Sequence, residues 1–485
     1  MEKPLKIRLH VLSPIHIGCD DVYEPTSFVI DENRKKLIEF DPVDFIRYLT
    51  PEQRNEFLRI CSGDNLLSIF KFVKRVFNQG ISGREVGIAS GLTEHYKKVL
   101  SMSSYDPKAI INQFTMNKTA YNPQTNQVYI PGTSVKGAIR TAYLSHLAVS
   151  KSKNGAKEKA KILEEELLGG SFDTDPFRMI KVSDFQPFEQ VQTKIVYGVN
   201  KKKRISDRAT KASSGPQQIF EAIETGGIFE GIINIGIPEK MAGIKTPVEQ
   251  TVLLKAIHQH YGKLYTQDMA VAKECGFHQV STGPFLERFG DSCFLIRIGR
   301  HSGAEAVTIE GNRNIKIMQG QGEPPEYSKY GSTTIWLASE VARPTVNNGL
   351  TPFGWAVLEI VPFDAEKGLF TTVRREFKST SAPEIKNESS QFVQEKQIEP
   401  SPAKIKKVPE QTVWKNITIT WNPGSQTLIA TKDNKKAELT IGSDRSFVPE
   451  QFHKKLFEKP KSIKADIIVE PVGNALRIVS IESDK

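Results

Sequence analysis

Tyr129-Ile-Pro-Gly-Thr-Ser-Val-Lys-Gly-Ala-Ile-Arg-Thr-Ala142 is the stretch on which the fold turns. Val128, Tyr129 and Ile130 read as the end of a short apolar strand that stops at Pro131-Gly132. Thr133 or Ser134 then stands where a side-chain oxygen caps a helix, which runs on through Ala138, Ile139, Ala142, Tyr143 and Leu144. Lys136 and Arg140 are four apart and share one face of its first turns. Free N–H groups, a positive helix end and two cations at one spot suit a phosphate. The stretch is not a Walker loop, because Lys136 precedes Gly137 and only three residues separate it from Gly132. Local pattern leaves two readings open: a phosphate site, or a plain strand–turn–helix link with solvated cations.

Composition narrows the rest. The chain has 485 residues, 66 Lys and Arg against 56 Asp and Glu, and a net charge of +10. At about 150 residues per domain the length suggests about three domains. A basic balance spread along the chain points to nucleic acid or another polyanion. Cys19, Cys61, Cys275 and Cys293 are far apart, and Cys275 with His278 is only half of a zinc spacing. We expect no structural metal, no cofactor, inert thiols and a reducing cytoplasm. The N-terminus alternates like a strand and no run of about 18 apolar residues exists, so neither a signal segment nor a membrane span is expected.

Ile7, Leu9 and Val11 predict a first strand that breaks at Ser13-Pro14. Ser27–Ile30 and Lys36–Phe40 predict a hairpin, and residues 41–105 a mostly helical insertion. Residues 193–236 read as one long hairpin whose tip, Asn200 to Pro216, is basic and has no apolar face. A helix is expected from about Pro247 to Gly276. A strand over Cys293–Ile298 ends in the turn Gly299-Arg-His-Ser-Gly303. Residues 376–412, rich in Ser, Glu, Lys and Pro, read as a flexible linker. Residues 413–485 read as a small β-rich module of OB or SH3-like type, with a helix at Pro449–Phe457.

The opening stretch resembles the signature of the RAMP superfamily, the repeat-associated proteins of type III CRISPR effectors. Four other stretches stand in the order that family has: Leu12-Ser-Pro-Ile-His-Ile-Gly18, Arg178-Met-Ile-Lys-Val-Ser-Asp184, Gly226-Gly-Ile-Phe-Glu-Gly231 and Ile296-Arg-Ile-Gly-Arg-His-Ser-Gly303. Over roughly residues 5–365 the pattern is most similar to the type III-A (Csm) subunit class that caps the filament at the 3′ end of the guide RNA (crRNA). The turn at Gly299 is poorer in glycine than the family's usual loop, and the module beyond residue 413 lies outside the pattern.

The resemblance implies an α+β chain of two fused ferredoxin-like (RRM-like) domains, which we place at 1–190 and 191–375. It implies contact with crRNA and with the adjacent backbone RAMP subunit, a role in crRNA maturation with host ribonucleases trimming the 3′ end, and antiviral defence. No membrane and no small-molecule substrate are implied.

Single-stranded RNA needs cations along its backbone, N–H donors for phosphates and flat faces for bases. The candidate contacts are His16, Thr133, Ser134, Lys136, Arg140, Arg300, His301 and the run Lys201, Lys202, Lys203, Arg204, with Lys118 behind them. Arg297 either joins them or pairs with a carboxylate; the pair is preferred. No residue is assigned to catalysis. His16 is the one candidate for a metal-independent endoribonuclease that processes repeat RNA, and a strand-end or RNA-contact role is preferred for it.

Overall fold

A computed structural model describes residues 4–63, 66–77, 83–102, 114–153, 155, 160–204, 218–319, 323–363, 412–422, 427–432, 435–440, 448–458, 462–472 and 475–482. The chain divides into two compact units, residues 1–377 and 378–485. The linker expected between them and the hairpin tip beyond Arg204 lie outside the described residues.

The described residues of the first unit form a mixed α+β body built on two large sheets, with two small two-stranded ones beside them. The six-stranded sheet runs Gln186–Pro187, Ile228–Ile235, Leu5–Val11, Trp355–Val361, Cys293–Arg297, with Ile180–Val182 also on Ile228–Ile235. Leu5–Val11 is antiparallel to both neighbours, Ile7 facing Gly231 on one side and Ile360 on the other. Ile7, Leu9 and Val11 are buried in alternation, the period that puts one face of a strand inward. That face shares a core with the helices Gly132–Ser150 and Gln250–Cys275, which bring Val135, Ile139, Ala142, Leu253, Ile257 and Tyr261.

The nine-stranded sheet runs Gly18–Val22, Met116–Thr119, Gln218–Ile223, Thr193–Lys202, Arg84–Ile88, Lys36–Glu39, Phe28–Asp31. Thr334–Ser339 pairs with the far half of Thr193–Lys202 and carries Thr351–Pro352 on its edge. One face packs on the helices Leu66–Val76 and Ser90–Leu100 through Ile30, Val86, Ile195, Tyr197, Phe70, Leu92 and Tyr96. Helices Pro42–Tyr48 and Pro51–Cys61 add a satellite core around Phe45 and Phe57, within the helical insertion expected from the sequence.

Two expectations need correction. Residues 193–236 are not one hairpin: Thr193–Lys202 pairs antiparallel with Gln218–Ile223, but Ile228–Ile235 crosses to the other sheet. The turn at Gly226 (φ 93°) makes that crossing. A boundary at 190/191 likewise does not separate the sheets, since each draws strands from both sides of it.

The second unit holds a closed five-stranded barrel, Thr412–Asn422, Thr427–Lys432, Lys435–Thr440, Ala475–Glu482, Ser462–Val472, which returns to Thr412–Asn422. The third and fifth strands in chain order pair in parallel, and the other pairs are antiparallel. A short helix, Glu450–His453, continued by a π turn over Lys454–Glu458, lies between the third and fourth strands. Trp414, Ile419, Leu428, Ile463, Ile467 and Ile478 fill the barrel.

Candidate nucleic-acid interface

The nine-stranded sheet has a second face. Residues 193–202 alternate, so Ile195, Tyr197 and Val199 turn toward the helices while Val196, Gly198, Asn200 and Lys202 turn away. In register beside them stand Phe220 against Val196, and Ala338, Trp336 and Thr334 against Gly198, Asn200 and Lys202. Val196, Phe220, Ala222, Ala338 and Phe353 form their own small core on that face, with Trp336 partly buried against it.

Four rings follow one another there, the first three stacked and the last tilted by 35°. His16 lies 4.6 Å from Phe220 between ring centroids, Phe220 5.0 Å from His301, and His301 4.5 Å from Trp336. Phe353 flanks the middle of the stack, 5.3 Å from Phe220 and 5.8 Å from His301. Two residues far apart in sequence, His16 and His301, are thus joined through one phenyl ring.

The turn Gly299–Gly303 is fixed to this stack by its backbone. Arg300 N–H donates to the His16 carbonyl at 2.8 Å. Gly299 has φ 85°, and a Cβ there would stand 2.6 Å from the same oxygen, so both conformation and space demand glycine. His301 itself has φ 68°, a left-handed conformation uncommon outside glycine, and it aims the imidazole into the stack. Arg297 anchors the turn from below: it is buried, pairs with Asp268 at 2.6 Å and donates through Nε to the Phe353 carbonyl at 2.9 Å. The preference for a carboxylate partner at Arg297 agrees with this geometry.

Burial governs the two imidazoles. His16 is 1% exposed. Desolvation lowers its pKa and the nearby Arg300 charge adds to that, while the 2.7 Å bond between its Nδ1 and the Glu221 carbonyl oxygen opposes both. Desolvation, Arg300 and His16 together push His301 down to about 4. The Nε2 atoms of both, and Asn200 Oδ1, are buried without a hydrogen-bond partner among the described residues. Behind His16 lies a charged network. The buried Glu221 carboxylate pairs with Arg84 and accepts from Tyr23 Oη at 2.9 Å, and Arg84 and Lys118 both pair with Glu39. Lys118 is therefore a structural cation.

The helix start at Gly132 differs from the expectation. Pro131 is the N-cap and neither Thr133 nor Ser134 caps through its side chain; Thr133 is exposed, and the Ser134 N–H donates to the Pro131 carbonyl at 2.9 Å. Gly132 N–H donates instead to Asp184 Oδ1 at 2.8 Å, so the chain's own carboxylate occupies the positive helix end. Lys136 Nζ donates to the Ile180 carbonyl at 2.8 Å. Burial, then Lys181, lower its pKa. Arg140 pairs with Glu164 at 2.9 Å and Asp175 at 2.8 Å. This signature ties the helix to the six-stranded sheet, and both its cations hold protein partners.

In the run after Asn200, Lys201 Nζ donates to the Pro344 carbonyl at 3.2 Å and Lys203 pairs with Glu305 at 2.6 Å. Lys202 and Arg204 are exposed, as is Arg300, and none of the three has an ion pair among the described residues. The same face continues into a groove of about 340 Å³ floored by Val196, Ala222 and Ala338 and walled by Lys194, Glu224 and Glu340. Among the described residues no group of His, Cys, Asp and Glu gathers to hold a metal, and no helix is long and apolar enough to cross a membrane.

Sequence reading missed Phe220, Trp336, Phe353, Asn200 and Gly198. The available signal was alternation: Phe220 and Trp336 each sit on a strand at positions opposite to the apolar residues that make the helix-covered core.

The family model of the RAMP superfamily matches residues 8–321, more than half of the chain. The chain belongs to the RAMP superfamily. Among curated relatives, this RAMP protein is 24% identical over 197 residues to the "CRISPR system Cms protein Csm5" of Methanocaldococcus jannaschii, 37% of this chain and 42% of that protein. It is 27% identical over 210 residues to the protein of the same name from Streptococcus thermophilus, 39% of this chain and 53% of that protein. The matches thus span about half the length of each relative. Similar solved structures are a chain of a Csm–crRNA–target RNA ternary complex from a type III-A CRISPR-Cas system and the Csm5 protein of T. onnurineus. The first has 18% identity, 74% of this chain and 100% of that one, and TM-score 0.48. The second has 16% identity, 68% and 99% coverage, and TM-score 0.43.

Proposed function

We propose that this RAMP protein is a crRNA-binding subunit of a type III-A (Csm) CRISPR ribonucleoprotein, seated at the 3′ end of the guide and supporting its maturation in antiviral defence in the cytoplasm. The carrying observation is the second face of the nine-stranded sheet, where a series of four rings stands beside the exposed Arg300 and Lys202, with Arg204 exposed two residues further along the chain. Cations for the backbone beside flat rings for bases are what single-stranded RNA requires. The two Csm5 relatives point to the same assignment. A neighbouring backbone RAMP subunit and host ribonucleases acting on the guide's 3′ end are the partners this reading entails.

Two RRM-like halves with interleaved strands remain our reading of the first unit. For the second, strand order 1-2-3-5-4-1 with a parallel third–fifth pair and a helix between strands three and four supports the OB rather than the SH3-like alternative. The endoribonuclease alternative is disfavoured by the two imidazoles: His16 is buried, and His301, half-buried and held near 4, carries too little proton at neutral pH to act as an acid.

The test is filter binding of the purified full chain to single-stranded RNA across a salt series. Affinity that falls with salt, lost when Arg300, Lys202 and Arg204 are replaced by Ala, supports the reading. Absence of RNA binding by the wild-type chain refutes it. RNA cleavage that persists in chelator and vanishes in His16→Ala would move the assignment to the nuclease.

A further inference from the structure

We infer that Trp336, with Asn200 beside it, is a seat for one unpaired base of single-stranded RNA; this rests on the RNA-binding reading above and names the place on the sheet where a base is held. The stack His16, Phe220, His301, Trp336 is buried at its His16 end and partly exposed at Trp336. Each inner ring has a ring neighbour before it and after it in the series. Trp336 is the last ring of the series, and its cover on one side is His301, 4.5 Å away. A nucleobase laid on its outer side continues the series at no cost in side-chain order, because the indole is already held by its own strand and by His301.

Asn200 supplies the edge contact. It is the register partner of Trp336 across the antiparallel pair, so the two side chains leave the same face at adjacent positions. Its Oδ1 is buried and has no donor among the described residues, an arrangement that costs free energy unless an N–H fills it. Every nucleobase offers such an N–H on its Watson–Crick edge or exocyclic amine. Lys202, next on the same face and paired in register with Thr334, is exposed and takes the flanking phosphate. Arg300, one residue before the stacked His301, is the second exposed cation at the stack. Ring, acceptor and cations come from three chain segments that only the folded sheet brings together.

The seat differs from a purely structural use of Trp336 in one respect: it cares about a single base in the ligand. The experiment uses the full-length chain and a single-stranded oligoribonucleotide, together with copies in which one abasic position is moved along the strand. The wild-type chain is expected to lose about tenfold in affinity at one abasic position. Trp336→Leu is expected to weaken the intact strand by a similar factor and to lose the dependence on that position, while Trp336→Phe keeps both. Asn200→Ala is expected to weaken the intact strand and spare the abasic one. Ultraviolet cross-linking of the wild-type complex should map to Trp336, a readout independent of any variant's folding. An RNA that binds with equal loss at every abasic position, and no cross-link at Trp336, overturns the seat while leaving RNA binding intact. Failure of the wild-type chain to bind RNA removes both readings at once.

Discussion

Gly198 has no side chain where the ring of Phe220 lies: a Cβ at residue 198 would stand 2.7 Å from Phe220 Cε1 and 2.9 Å from Cζ. Strands 193–202 and 218–223 are paired there, so neither backbone can retreat without breaking the ladder. Gly198→Ala must therefore push Phe220, and with it the rings of His16 and His301. We expect a loss of about 1–3 kcal/mol in stability and weaker RNA binding. Thermal unfolding and filter binding on one preparation check both; an Ala variant with an unchanged transition would mean that the ring has room to move.

The cations divide into structural and free. Arg140→Ala breaks pairs with Glu164 and Asp175, both partly exposed, and should cost about 1 kcal/mol while leaving RNA affinity and its salt dependence unchanged. Arg300→Ala should do the reverse, lowering affinity and reducing the slope against salt by about one. Salt titrations of the two variants side by side distinguish the roles. Equal effects on RNA binding would place the guide on the Gly132–Ser150 helix instead.

Glu221→Gln should be severe. The carboxylate is fully buried, pairs with Arg84 and accepts from Tyr23. Removing its charge leaves the largely buried Arg84 guanidinium with only its longer, 3.6 Å pair to Glu39, at a cost of about 3 kcal/mol. Urea unfolding measures the loss, and rescue by Arg84→Met in the double variant would show that the unpaired charge is the cause.

Stability should rise with pH between about 4 and 6.5. Burial holds the His301 and His260 pKa values near 4 in the folded chain, against 6.5 for a solvated imidazole. The unfolded chain binds the extra protons across that interval, so the folded state gains as pH rises through it. The gain is complete above the unfolded value and lost as pH falls toward 4. Each residue contributes on the order of 3 kcal/mol as an upper bound. Urea midpoints measured from pH 5 to 8 should climb and then level, and His260→Phe should flatten the climb.

Much of the fold was legible because it rests on local rules. Alternation located Leu5–Val11 and the β-rich character of the barrel module. The long helix ending at Cys275 was visible from its apolar period, with Gly276 (φ 72°) as its C-terminal cap. The site was less legible. His16, Arg300 and His301 were singled out from motifs, but Lys136 and Arg140 have the same local pattern as free cations. Only the partners Ile180, Glu164 and Asp175, 24 to 44 residues away, reveal that they are engaged.

The sequence by itself determined the RAMP order of motifs, the glycines that its turns require, and the α+β alternation of elements, since these follow from backbone sterics and the period of apolar side chains. Tertiary structure alone decided which charges are spent on other residues and which rings meet. Ion pairing depends on distance in space rather than along the chain, and the stack from His16 to Trp336 gathers side chains up to 320 residues apart because two sheets and a glycine turn close on one another.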